Sequence, residues 1–309
     1  MTLRCLAALL MAISLTTLTG CPQAATPGKG GPTPGPGEVK SEPVTFPDLG
    51  ASRTIQPGVL FQEATIQRGG VPMRVWVYQP EKTAGKLPLV LVPPAGSTLV
   101  AGMDLGDGDR PEHYPYAKAG FIVVSFEIDG HVAGNAPDSA VLKGARQFKD
   151  AQAGIANARV ALDFALAKVP NIDENRILIA GHSSAATLAL LFAEHEPRIK
   201  ACSAFAPVTD VEDRIGNAVA PLDRSIPGYR DFLHFSSPKT HVDKLKCPVF
   251  LFYAKDDTNV PVRQSTDFAE TLKKTNSAVT LVSVARGGHY DSMLREGIPK
   301  AIQWFQKLP

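Results

Sequence analysis

The chain has 309 residues, of which 44% are hydrophobic and 20% are charged, and its formal net charge at pH 7 is +2. Because 32 lysines and arginines nearly balance 30 aspartates and glutamates, the sequence predicts no basic face, and no nucleic-acid partner is expected. The length that remains after an atypical amino-terminal region suits one large α/β domain.

The first twenty residues have the features of a secretory signal peptide. One positive charge, at Arg4, precedes an apolar run from Leu6 to Leu18 that only hydroxyl-bearing residues interrupt. This run is too short to span a bilayer, which takes about 20 apolar residues. We therefore predict that residues 1–20 are a signal peptide.

The leader ends in Leu18-Thr19-Gly20-Cys21, which resembles a bacterial lipobox. The resemblance implies cleavage before Cys21 and attachment of lipid to its thiol; the alternative is an ordinary signal peptide followed by a chance cysteine. A lipid anchor predicts contact with a membrane and a place in the bacterial cell envelope, at the outer membrane or the periplasmic face. Pro22 rather than aspartate follows the cysteine, and by resemblance to sorting in enteric bacteria this favours the outer membrane.

A tract rich in proline and glycine follows the leader. Nine of the twelve residues from Thr26 to Gly37 are glycine or proline. Such a tract has few side chains to bury, so burial cannot offset the entropy of ordering it. We predict a disordered spacer over residues 21–58, which holds a folded catalytic domain, residues 59–309, away from the membrane.

Strands and helices alternate in the predicted domain. Alternating or continuous apolar runs predict strands at 73–80, 87–96, 120–130, 176–181, 200–207, 248–254 and 279–285. Apolar residues at helical spacing predict helices at 148–169, 185–196, 264–274 and 298–307. The pattern predicts an α/β fold with a mostly parallel central sheet flanked by helices.

The segment RILIAGHSSA, from Arg176 to Ala185, has the pattern of a strand, a sharp turn and a helix. In the G-x-S-x-G motif of α/β-hydrolases, such a turn holds a nucleophilic serine at the carboxyl edge of the sheet. Gly181 fits the first glycine, and Ala185 replaces the second with the addition of one methyl group. The predicted nucleophile is Ser183.

A serine hydroxyl needs a base to become a nucleophile, and the base needs an orienting carboxylate. The run FLFYAKDDTNVPVRQS places Asp256 and Asp257 just after one predicted strand, and SVARGGHYDSM places His289 just after the next. Both sites lie at carboxyl ends of strands, where such sheets bind ligands. The chain order of serine, acid and histidine is that of α/β-hydrolases.

Three segments resemble the catalytic domain of the prolyl oligopeptidase family, which has the α/β-hydrolase fold: DENRILIAGHSSA, SSPKTHVDKLKCPVFLFYAKDDTNVPVRQS and GGHYD. The likeness extends from about Pro72 to Leu308. In the D-D-x-x-V-P pattern of that family the first carboxylate is catalytic. The resemblance therefore implies a triad of Ser183, Asp256 and His289, with Asp257 as the fallback for the acid.

Two backbone N–H groups are expected to form an oxyanion hole. One belongs to Ser184, which follows the nucleophile, and the other lies in the loop from Pro93 to Ser97 after an early strand. Since proline has no N–H, the donor in this loop is Ala95 or Gly96, and its offset after the strand favours Ala95.

Two cysteines remain in the predicted domain, and each begins a strand. The two strands should be parallel neighbours in this fold, so we predict a disulfide between Cys202 and Cys247 provided that their Cα atoms lie within about 7 Å. The alternative is two buried thiols that pack as small hydrophobes. His182 is expected to be a packing or rim residue. The other histidines show no ligand spacing, so no metal site is predicted, and triad chemistry requires no cofactor.

The predicted function is that of a lipid-anchored serine hydrolase with a small-molecule or peptide substrate. The resemblance favours a peptidase. The large members of the family carry an amino-terminal β-propeller that gates the site, and the spacer has no room for one, which favours a carboxylesterase of small or broad ester substrates instead. The alternative to an enzyme is a non-catalytic binding lipoprotein with the same fold. Ala185 and the two prolines of the 93–97 loop support this alternative. The sequence carries no signal for an oligomeric state.

Overall fold

The computed structural model describes residues 45–309. These residues form strands β1 (Arg53–Gln56), β2 (Val59–Arg68), β3 (Val71–Pro80), β4 (Leu87–Leu91), β5 (Ile122–Phe126), β6 (Ile172–His182), β7 (Ala201–Phe205), β8 (Val249–Ala254) and β9 (Val279–Val284). Their order in a single sheet is β1-β2-β3-β5-β4-β6-β7-β8-β9. The first three strands add to one edge in antiparallel pairs, whereas β5, β4, β6, β7, β8 and β9 are parallel neighbours.

Helices connect the strands and cover both faces of the sheet. They are α1 (Arg110–Lys118), α2 (Asp138–Asp150), α3 (Ile155–Lys168), α4 (Ser184–His195), α5 (Val211–Ile215), α6 (Val219–Ser225), α7 (Tyr229–Phe235), α8 (Arg263–Leu272) and α9 (Ile298–Gln306). One hydrophobic core joins the sheet to α2, α3 and α4, and a second, on the opposite face, joins it to α1 and α9. Strands β5 and β7 are buried along their whole length, as strands covered on both faces must be. The predicted α/β fold with a mostly parallel sheet is confirmed.

The predicted helix over 148–169 is divided into two. Helix α2 ends at Asp150 and α3 begins at Ile155. Between them, Gln152, Ala153 and Gly154 all have positive φ, at 54°, 57° and 93°. Three successive left-handed residues cannot continue a right-handed helix, so the chain changes direction here.

The folded domain begins earlier than the predicted boundary at Val59. Strand β1 lies within the predicted spacer and pairs with β2, and the ring of Phe46 packs edge-on against Phe164 at 5.8 Å between centroids. Residues 45–58 therefore belong to the domain. The predicted signal peptide, Cys21 and the spacer up to residue 44 lie outside the described residues. Across residues 45–309, no helix has the length and apolar character needed to cross a membrane.

The predicted disulfide is wrong, because Cys202 and Cys247 are both free thiols. Strands β7 and β8 are parallel neighbours as expected, but their register sets Cys202 against Val249. Cys247 lies two residues before that position and ahead of the start of β8. Cys202 is fully buried in the hydrophobic core and Cys247 packs against the same core. Both thiols therefore pack as small hydrophobic groups, which was the alternative to a disulfide.

Candidate active site

Ser183 occupies the tight turn between β6 and α4 at the carboxyl edge of the sheet. Its φ and ψ angles are 56° and −120°, a conformation that costs a non-glycine residue on the order of 1–3 kcal/mol. The N–H of Ser183 donates to the carbonyl of Phe205 at 2.9 Å, which fixes the turn to the neighbouring strand. A Cβ atom at Gly181 would lie 2.3 Å from the carbonyl oxygen of Ala185, so the turn requires glycine at the first position of the motif. Ala185 itself is fully buried and is accommodated in α4.

The carboxylate beside His289 is that of Asp257, which corrects the assignment of Asp256. Oδ2 of Asp257 lies 2.7 Å from Nδ1 of His289. Asp256, by contrast, is exposed, and its two oxygens accept the N–H groups of Gly287 and Gly288 at 3.1 and 2.8 Å. The turn after β8 thus directs the second carboxylate toward the imidazole and leaves the first to hold the loop that precedes it.

The environment of Asp257 favours its ionised form. Burial by itself would raise the pKa of this carboxyl, but the hydrogen bond and charge of His289 and the N–H groups of Val260 and Asn259 lower it below its usual value. The Asp257 side chain is only 2% exposed, so the His289 ring faces a nearly dry carboxylate. Such a carboxylate orients the imidazole and stabilises its protonated form.

The second ring nitrogen of His289 is free to accept a proton. With Nδ1 directed at Asp257, the neutral ring carries its lone pair on Nε2. This Nε2 is buried and has no hydrogen-bond partner within the described residues. The His289 ring packs against that of His182, the residue before Ser183, at 4.5 Å between centroids and with a tilt of 45° between the ring planes. The structure therefore brings the predicted base next to the turn that carries the predicted nucleophile.

The loop after β4 carries Ala95, the predicted oxyanion donor. The N–H of Gly96 is already committed, since it donates to the hydroxyl of Ser184 at 3.0 Å. The N–H of Ala95 donates no hydrogen bond in the part of the chain that the structure describes. Ser184 is the first residue of α4, so its N–H has no partner inside the helix. Both predicted donors, Ala95 and Ser184, thus retain a free N–H beside the turn that carries Ser183.

Sequence reasoning missed the role of His182. This residue is buried, and its Nε2 donates to the carbonyl oxygen of His289 at 2.9 Å. On the other side of the ring, Nδ1 lies 3.7 Å from Oε1 of the buried Glu112, which belongs to α1. No signal in the sequence distinguishes a histidine that holds the neighbouring loop from one that packs.

Among residues 45–309, no three His, Cys, Asp or Glu side chains are grouped so that they could hold a metal ion. The chemistry that the arrangement supports is that of an oriented imidazole next to a serine-bearing turn at the edge of a parallel sheet, although no hydrogen bond joins His289 Nε2 to Ser183 within the described residues. A strained serine at this turn, an acid after β8 and a histidine after β9 together define an α/β-hydrolase of the serine type.

The sequence profile of the Prolyl oligopeptidase family (Peptidase_S9) matches residues 109–308, which is more than half of the chain. The chain therefore belongs to the prolyl oligopeptidase family and is a serine hydrolase. The expected resemblance is confirmed. A search of curated protein sequences found no match.

Solved structures of low sequence identity share the fold. A protein assigned as a dienelactone hydrolase, from Klebsiella pneumoniae subsp. pneumoniae MGH 78578, is 18% identical with a TM-score of 0.61, over 81% of this chain and 99% of that one. An S-formylglutathione hydrolase from Agrobacterium tumefaciens is 17% identical with a TM-score of 0.61, over 84% and 98% of the two chains. The Pyrococcus horikoshii acylaminoacyl peptidase is 16% identical with a TM-score of 0.60, but the match covers 79% of this chain and only 39% of the peptidase.

Proposed function

We propose that this serine hydrolase cleaves acyl bonds with a triad of Ser183, Asp257 and His289. The observation that carries the proposal is the 2.7 Å contact between Asp257 and Nδ1 of His289, which leaves a buried and unpartnered Nε2 facing away from the acid. A histidine held in this way can take a proton from a serine and return it to a leaving group.

In the proposed reaction, His289 Nε2 removes the hydroxyl proton of Ser183 while Oγ attacks the carbonyl carbon of the substrate. The N–H groups of Ala95 and Ser184 donate to the oxygen that becomes negative. His289 then gives its proton to the leaving amine or alcohol, and the bond to that group breaks to leave an acyl-enzyme. Water attacks this ester with His289 as the base, which releases the acid and regenerates Ser183. Asp257 orients the ring and balances its charge throughout.

The family match supports a peptide or amide as the substrate. A second candidate, an ester, is supported by a different observation: the similar structures that this chain covers almost completely include the dienelactone hydrolase and the S-formylglutathione hydrolase. The peptidase in the comparison is covered over only 39% of its length. Peptidase activity is therefore the first proposal, and carboxylesterase activity with the same triad is the second.

The test uses two substrates with the same acyl group and different leaving groups. An N-blocked prolyl p-nitroanilide and the p-nitrophenyl ester of the same blocked proline are compared, with Ser183→Ala as the control. We expect turnover of at least one substrate and a burst of nitrophenol equal to one equivalent of enzyme. The ratio of kcat/KM values decides between peptidase and esterase. Equal turnover by wild type and Ser183→Ala would remove Ser183 from the mechanism.

We further propose that Cys21 carries the lipid that anchors the chain in the cell envelope, with a small-molecule or peptide substrate reaching the domain there. The support is the lipobox-like Leu18-Thr19-Gly20-Cys21 alone. Metabolic labelling with a palmitate analogue, followed by membrane fractionation, tests it. Wild type should carry label and sediment with membranes, and Cys21→Ser should lose both properties; a labelled Cys21→Ser chain would contradict the proposal.

A further inference from the structure

The side chain of Ser184, the first residue of α4, joins this helix to the 93–97 loop, whose Ala95 is the other predicted oxyanion donor. Its Oγ accepts the N–H groups of Gly96 and of Ser97, each at 3.0 Å, although these residues lie 88 and 87 positions earlier in the chain. Ser184 is buried, with 7% of its surface exposed, so these contacts are largely shielded from water. Two consecutive backbone donors thus converge on one hydroxyl oxygen.

Few other hydrogen bonds hold residues 93–97 in place. The last ladder contact before these residues is the N–H of Val92, which donates to Val124 at 2.9 Å. Pro93 and Pro94 have no N–H to donate. In the part of the chain that the structure describes, the two bonds to Ser184 are the hydrogen bonds that join residues 93–97 to α4.

Beyond this point the loop is held by its own atoms and by neighbouring segments, since the hydroxyl of Tyr229 donates to the carbonyl of Val100 at 2.9 Å. The hydroxyl of Ser97 donates to the carbonyl of Ala101 and accepts the N–H of Leu99 at 3.0 Å. Gly96 has a φ of 100°, a left-handed conformation that glycine adopts without strain. Within residues 93–97, the hydrogen bonds to Ser184 are therefore the contacts that fix the loop backbone beside the turn that carries Ser183.

We propose that Ser184 is a positioning residue that sets the distance between the two oxyanion donors. Its backbone N–H is one donor, and its side chain fixes the loop whose Ala95 N–H is the other. The proposal rests on the acyl-transfer function above. Because a preorganised donor acts only on charge that develops in the transition state, displacement of the loop lowers kcat and leaves KM unchanged.

Ser184→Ala tests this role, because it keeps the backbone N–H and removes the acceptor. Loss of one complete oxyanion donor costs about 10²–10³ in kcat, so partial displacement of Ala95 should cost about 10- to 100-fold. We expect that loss in kcat, a KM within about twofold of wild type, and an equal loss of affinity for a trifluoromethyl ketone, which binds as a tetrahedral oxyanion. Ser184→Thr keeps a hydroxyl and should recover most of the activity, since a cavity of about 20 Å³ lies beside Ser184.

Ser237→Ala is the matched control. The Ser237 hydroxyl is also buried and also accepts a backbone N–H, that of Val211 at 2.9 Å, but it forms no hydrogen bond with the 93–97 loop. Both variants lose a buried acceptor and should lose similar thermal stability. Only Ser184→Ala should lose affinity for the ketone. Equal ketone affinity in wild type and Ser184→Ala, or an equal loss in both variants, would overturn the proposal.

Hydrogen–deuterium exchange of the full chain separates this proposal from the proposed function. Amides of Gly96 and Ser97 should exchange faster in Ser184→Ala than in wild type, in a measurement that needs no turnover. If these amides exchange at the wild-type rate, the Ser184 hydroxyl does not hold the loop and the proposal fails. If Ser183→Ala keeps full activity, the proposed function fails instead, whatever the exchange result.

Discussion

Oδ2 of Asp257 lies 2.7 Å from Nδ1 of His289, while the adjacent Asp256 binds the two glycine N–H groups that precede this histidine. The two neighbouring carboxylates therefore have different tasks. One orients the ring, and the other holds the loop on which the ring is carried.

Asp257→Asn should lower kcat by about 10³- to 10⁴-fold, because an amide cannot stabilise the imidazolium and favours the wrong tautomer of His289. Asp256→Asn should lower kcat by less than about tenfold, because its amide oxygen can still accept an N–H of the loop. Steady-state kinetics of the two variants provide the measurement. A larger loss in Asp256→Asn than in Asp257→Asn would restore the family's first-carboxylate assignment.

His182→Phe should lower kcat modestly, with little change in KM. The aromatic ring can still pack against His289, but the donor to the His289 carbonyl is lost, and one neutral hydrogen bond is worth about 0.5–1.5 kcal/mol, or roughly 2- to 13-fold. The matched control is His195→Phe at the end of α4, where Nδ1 likewise bonds a backbone carbonyl, that of Leu191 at 2.9 Å. Equal kcat values in the two variants would show that His182 does not position the base.

Gly181→Ala should destabilise the turn between β6 and α4. The added Cβ would meet the carbonyl oxygen and carbon of Ala185 at 2.3 and 2.4 Å, and strand and helix must separate to admit it. We expect a loss of at least about 1–3 kcal/mol in the free energy of unfolding, measured by urea denaturation. Ala185→Gly, which restores the G-x-S-x-G pattern, should cost only about 0.5–1 kcal/mol and keep kcat within about twofold. Equal destabilisation by the two substitutions would argue against close approach at Gly181.

Asp109 should make stability fall between about pH 4 and pH 6. Burial raises the pKa of this carboxyl from 3.8 to about 6. The folded protein then binds the proton more tightly than the unfolded chain, so stability is greatest below the unfolded pKa and falls as pH rises to the folded value. Asp109→Asn keeps an oxygen to accept the N–H of Gly106 but does not titrate. Its melting temperature relative to wild type should rise from pH 4 to pH 6 and then stay level; parallel curves would contradict the raised pKa.

The sequence predicted the parts of the fold that depend on continuous apolar runs. The core strands and the order of Ser183, acid and His289 followed from such runs and from the polar residues at their ends. The choice between Asp256 and Asp257 could not be made from the sequence, because adjacent side chains on a turn diverge and their directions depend on the backbone after β8. The break at Gln152 to Gly154 also went unpredicted, since Gly154 alone gave a local signal.

The amino-terminal strands of the domain were also not predicted from the sequence. Strands β1 and β2 are mostly half-buried or exposed, so they lack the apolar signature of the central strands. The contacts around Ser183 are long-range as well. His182 meets His289 across 107 residues of sequence, and Ser184 meets Gly96 across 88. Local patterns contain no information on such pairs.

The central claim is that Ser183 is activated by His289 and Asp257. The most direct measurement is labelling of the folded chain with a fluorophosphonate probe, with the modified residue located by peptide mass spectrometry. Wild type should be labelled on Ser183, Ser183→Ala should take no label, and Asp257→Asn should be labelled far more slowly. Absence of label on wild type, or label on another residue that persists in Ser183→Ala, would contradict the triad.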